Sequence, residues 1–150
     1  GVVGSAWQKD QGMPAVLQMR SFVDDQPLPT LYGLSSKDLY QAIAEIETGG
    51  EVKRLEQQIE ADSELRSAHL ADQQRYVDLR WQMMAESDRQ RIAELGFSEL
   101  FDSYGIGGIR HWEKVRCLHM QYAYHLAVGG TAIGRLLDAR YGLDKLQLMQ

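Results

Sequence analysis

The stretch that decides the fold is residues 51–95, EVKRLEQQIEADSELRSAHLADQQRYVDLRWQMMAESDRQRIAEL. Its apolar residues recur at intervals of three and four, at Val52, Leu55 and Ile59, then Leu65, Tyr76, Leu79 and Met83, then Ile92 and Leu95, which is helical spacing. Charged residues fill the positions between, so the segment reads as an amphipathic rod. The heptad fails at Asp62-Ser63, where a cap or kink is expected, and Ser87-Asp88-Arg89-Gln90 reads as a capping box that restarts the helix. Gly96 is placed to end it.

Working outward, the rest of the chain carries the same period and almost no alternation of the strand type. Pro14 suits a first helical turn, with Ala15, Val16, Met19, Phe22 and Val23 as the apolar face of a short helix closing near Asp24. Prolines at 27 and 29 make the following residues extended or turning. Ser35 or Ser36 caps a helix that buries Leu39, Ile43 and Ile46 and stops at Gly49-Gly50. Ile109, Trp112, Val115 or Arg116, His119, Ala123 and Leu126 define the face of the longest C-terminal helix, ended by Gly129-Gly130. Thr131 caps another that closes at Gly142. The expected fold is therefore all-α, a compact bundle of about five to seven helices forming one domain over residues 1–150, with residues 1–12 as a flexible N-terminal segment.

Composition narrows the function classes. The 150 residues are 44% apolar and 25% charged, within the range of ordinary globular domains, and no apolar run approaches the roughly 18 residues of a membrane span. A net charge of −5 argues against general nucleic-acid binding, which needs a basic excess. The charge is also uneven: Arg110, Lys114, Arg116, Arg135, Arg140 and Lys145 make the C-terminal third basic against an acidic remainder, a pattern that draws the two parts together within one fold or steers an acidic partner to the C-terminal third, the first being the favoured reading. The single cysteine fits a reducing cytoplasm and is also compatible with export. The chain opens on Gly1, as expected of a processed chain or a piece of a longer one.

No motif for a known chemistry converges. Two histidines grip one ion from a helix at i, i+4, and no pair among His111, His119 and His125 has that spacing. On a continuous helix Cys117 and His119 diverge by about 200°, so neither metal nor cofactor is expected and the thiol reads as a small buried hydrophobe. The leading expectation is a protein-interaction or adaptor module that binds another protein or itself. Its candidate binding residues are Trp81, Arg110, Trp112, Arg116, His119 and Tyr122, since aromatics and Arg are enriched in binding patches.

A second reading comes from Gln41-Ala42-Ile43-Ala44-Glu45-Ile46-Glu47-Thr48-Gly49-Gly50, which resembles the helix end bearing the catalytic glutamate of lysozyme-like lytic transglycosylases. The segment from Gly129 through Ile133, Leu136 and Leu137 to Tyr141-Gly142 is similar to a later helix of that family. The resemblance implies Glu47 as general acid/base in cleaving the glycan strand of peptidoglycan, in a periplasmic or exported protein.

Overall fold

The computed structural model describes residues 2–8 and 14–149, with side chains from 16 to 146. It is mainly helical, but not all-α. Among the described residues up to 34 there are five strands: β1 (Val2–Gln8), β2 (Pro14–Met19), β3 (Phe22–Val23), β4 (Gln26–Pro27) and β5 (Tyr32–Leu34). One antiparallel sheet runs β1-β2-β5, with Val16 opposite Leu34 and Gln18 opposite Tyr32. Residues 2–8, expected to be flexible, are thus its edge strand, while residues 9–12 lie outside the described residues.

The helix expected after Pro14 is replaced by β2 and a β3–β4 hairpin. Asp24 and Asp25 both adopt positive φ, at 52° and 61°, the backbone of a two-residue turn that reverses a strand with the correct twist. Aspartate tolerates this conformation, although the stronger sequence signal is a glycine in the pair. Val16 and Phe22, read as one helical face, are separated by the turn of the chain and enter different cores.

Eight α-helices follow among the described residues: α1 (Lys37–Thr48), α2 (Glu51–Ala61), α3 (Ser63–Met83), α4 (Glu86–Leu95), α5 (Ser98–Ser103), α6 (Leu118–Val128), α7 (Ala132–Tyr141) and α8 (Leu143–Met149). Their ends obey local chemistry. Ser36 Oγ accepts from Leu39 N–H, Asp62 Oδ1 accepts from Glu64 and Leu65 N–H, and Thr131 Oγ1 accepts from Gly134 N–H. Gly96, Gly129 and Gly142 close α4, α6 and α7 in left-handed conformations. The restart expected at Ser87 falls earlier, at Ala85.

The larger core joins the sheet to the helices through Val16, Leu31, Tyr32, Leu39, Ile43, Leu55, Ile59, Tyr76, Leu118 and Tyr122. A smaller one gathers Phe22, Met84, Ile92 and Phe101. Between them passes α3, whose buried face is mostly polar: His69, Gln73, Tyr76, Val77 and Arg80. Fully buried Arg80 donates to the carbonyls of Pro29 at 2.8 Å and Tyr104 at 2.7 Å, and to that of Phe101. It thereby ties the approach to β5 to the end of α5.

The greatest departure from expectation lies at 104–117. Ile109, Trp112 and Val115 are not on a helix; a single 3-10 turn (Ile106–Gly108) leads into irregular chain that reaches α6 only at Leu118. Helical hydrogen bonding is replaced by side chains from elsewhere. Gln73 accepts from Ile106 N–H at 2.7 Å and donates to Trp112 O at 3.2 Å, while Glu56 accepts from Val115 N–H at 3.1 Å. His69, kept neutral by burial, donates from Nε2 to Lys114 O at 3.2 Å.

Two outcomes follow. Arg80→Met leaves three carbonyls, one buried and two half-buried, without their donor and should cost on the order of 3–5 kcal/mol, read from the urea midpoint. Glu51 is also buried; burial raises its pKa, but hydrogen bonds from Arg54, Arg140 and Tyr141 outweigh that and hold it below the ordinary 4.5. A depressed carboxylate stabilises the fold above its unfolded pKa and loses that contribution as pH falls through the folded value. The melting-temperature gap between wild type and Glu51→Gln should therefore stay level from neutral pH down to about 5 and close below about 4.

Candidate functional site

At the junction of α1 and α6 the structure assembles Glu47, Cys117 and His119, with one potential ligand atom from each lying within 4.8 Å of the others. Glu47 stands in the last turn of α1, two turns beyond Tyr40 on an adjoining strip of the helix. Cys117 is the N-cap of α6, with extended backbone at φ −101° and ψ 143°. Here the divergence expected of Cys117 and His119 is corrected. A cap residue precedes the helix and does not follow its 100° advance per residue, so its side chain folds over the first turn. Cys117 Sγ lies 3.3 Å from His119 Nδ1.

The rest of the geometry fixes the imidazole. His119 Nε2 is 3.1 Å from the Tyr40 carbonyl, which can only accept, so Nε2 carries a proton. Nδ1 is left facing Cys117 Sγ and Glu47 Oε1, the latter at 3.1 Å. Three electron-rich donors on one point require a proton or a cation between them. Glu47 is itself oriented by Leu118 N–H, which donates to Oε2 at 3.1 Å. The Tyr40 ring covers His119 with centroids 4.1 Å apart.

The two separations from His119 Nδ1 are close to those around a metal, and the third pair of donors lies within 4.8 Å. Zinc bonds of about 2.3 Å to sulfur and 2.0–2.2 Å to nitrogen and oxygen place tetrahedral ligand atoms about 3.3–3.6 Å apart. The observed 3.3 and 3.1 Å are within a few tenths of that. A carbonyl on the far ring nitrogen is also the usual support of a metal-binding histidine.

Below the centre, Gly107 presses on the Arg116–Cys117 peptide. Its φ is +77°, and a Cβ there would lie 2.8 Å from Arg116 O and 3.1 Å from Cys117 N. No side chain larger than hydrogen leaves that peptide in place.

The other sequence-derived candidates have different partners. Tyr122 is fully buried and donates to Asp138 at 2.6 Å, and burial followed by that aspartate pushes its pKa up. The same aspartate receives His125 Nε2 at 2.8 Å, while His125 Nδ1 accepts Thr131 N–H at 2.9 Å, so both ring nitrogens of this histidine are committed to the fold. Trp81 packs on Phe101 and donates to Asp102 at 2.8 Å. Half-buried Trp112 donates to Ser103 O at 2.7 Å. Arg110 lies over the Tyr104 ring and pairs with Glu99 at 3.6 Å. Arg116 is exposed beside Cys117. Of the named candidates, Glu47 and His119 are brought together; Cys117, set aside as a hydrophobe, is the partner that sequence reasoning missed. The available signal was Cys-x-His at a helix start.

A mainly helical protein with a small antiparallel sheet and a Glu–Cys–His cluster at a helix N-terminus is thus defined. Residues 6–139 match the family described as protein of unknown function (DUF501), and the chain belongs to that family. Comparisons with curated proteins and with solved structures give no match.

Gly107→Ala should displace the Cys117 peptide and cost about 1–3 kcal/mol. Because Cys117 is the only thiol in the chain, its rate of reaction with a disulfide reagent reads this position alone and should change in the variant under native conditions.

Proposed function

We propose that this protein is a zinc-binding protein whose centre is formed by Glu47, Cys117 and His119. The observation that carries the reading is the convergence of His119 Nδ1, Cys117 Sγ and Glu47 Oε1 while Nε2 is anchored on the Tyr40 carbonyl. One thiolate, one imidazole and one carboxylate form a borderline-soft set, suited to zinc and poorly suited to magnesium or calcium, which take oxygen ligands. The centre links α1 to the start of α6, so the ion also braces the fold.

An interaction role is supported by one separate feature. Between α1 and the C-terminal helices, Ala42, Ile46, Tyr141, Leu143 and Leu146 line a shallow groove of about 420 Å³. The peptidoglycan reading assigns Glu47 to proton transfer instead. Turnover of purified peptidoglycan by wild type, abolished in Glu47→Gln, is the result that would favour it.

Elemental analysis of protein purified without chelator should find one zinc per chain. Cys117→Ser and His119→Gln should lose it, and the exposed His111→Ala should retain it. A strong chelator should lower the melting temperature of wild type and leave the two ligand variants unmoved, since an ion that binds only the folded state stabilises it by mass action. Metal-free wild type whose melting ignores both chelator and added zinc would overturn the proposal.

A further inference from the structure

Resting on the zinc reading, we infer that this centre keeps an open coordination position and takes a small oxyanion there, the chemistry of a carboxylate or phosphate group. Three donors converge among the described residues, and zinc is completed by four, so one position falls to water or an outside ligand. Solvent reaches the cluster: the Glu47 side chain is 25% exposed and that of His119 11%, and Cys117 is half-buried.

The charges favour an anion. A thiolate and a carboxylate neutralise the dication, so the nearest uncompensated charge decides the sign of the entrance. On the segment leading to Cys117, Lys114 pairs with Glu56 and Arg110 with Glu99; exposed Arg116, bonded to Cys117, has no ion-pair partner among the described residues, nor do the exposed carboxylates Glu113 and Glu45, and of these three Arg116 is the one joined directly to a ligand residue. An oxyanion can displace the metal-bound water with one oxygen while Arg116 meets another, as guanidinium does for carboxylates and phosphates. The exposed ring of Tyr40, over His119, gives this entrance an aromatic wall.

Cobalt(II) substitution separates this inference from the reading beneath it. The cobalt protein should show a thiolate charge-transfer band and visible bands of four-coordination. Titration with acetohydroxamate, and separately with acetate and inorganic phosphate, should shift the visible bands and leave the charge-transfer band. The stronger of acetate and phosphate identifies the type of group accepted. Arg116→Ala should take up cobalt as wild type does and bind the preferred anion at least several-fold more weakly. Failure to take up cobalt or zinc overturns the metal reading together with this inference. Cobalt uptake with visible bands indifferent to all three probes overturns the open position alone, and equal anion affinity in Arg116→Ala removes Arg116 from the entrance.

Discussion

Backbone amides and carbonyls taken out of water with no helix or sheet to join are the constraint around which this molecule is arranged. From Gly105 to Leu118 the chain is largely irregular yet partly buried, and its polar groups are met by side chains sent from α1, α2 and α3. An unmet buried group costs about 1–3 kcal/mol, so several together rival the whole stability of a domain, about 5–15 kcal/mol. This explains why α3 spends its buried face on His69 and Gln73, which meet that segment, and on Arg80, which meets the carbonyls of Pro29, Phe101 and Tyr104 just outside it. Replacing them with leucines would improve the helix's apolar face and leave those backbone groups without partners.

The same rule shapes the candidate centre. Glu47 has two oxygens, and the fold uses one of them, on Leu118 N–H, to start α6. The second is held by the same carboxylate plane toward His119 and Cys117. Positioning is therefore a by-product of helix capping between distant segments, and the fold itself brings the three donor atoms together. The His125–Asp138–Tyr122 network shows the opposite outcome. Each of its ring nitrogens is already engaged inside the protein, so a histidine with an aspartate beside it is here a brace.

What could be read in the sequence was what local chemistry decides. Asp62, Thr131, Gly96, Gly129 and Gly142 end or begin helices because a side-chain oxygen or a glycine satisfies the nearest groups, and those positions were legible. Two regions were not. Strand β2 forms because it is held between β1 and β5, at residues 32–34, and the pairing to β5 lies beyond any window around Pro14. Ile109, Trp112 and Val115 have helical spacing, yet the backbone of Trp112 and Val115 finds partners on Gln73 and Glu56, and the Ile109 carbonyl accepts from Gly105 N–H. The Glu47–Cys117–His119 cluster is hidden from local reading for a related reason: helical angles do not hold at Cys117, which stands one residue before the helix begins.

Helix α6 is secured at both ends by different neighbours. Glu47 holds its first amide, and beyond its last turn Arg75 donates to Gly130 O at 2.9 Å while Asp72 accepts from Ala132 N–H at 2.8 Å. Eleven residues make a strut of about 16 Å, too stiff to bend appreciably on its own. A push along its axis at Cys117 is therefore delivered to the Gly129–Thr131 corner. There it must either pull Gly130 from Arg75 or move α7, whose first amide sits on the same aspartate, so the loading of one end is mechanically audible at the other.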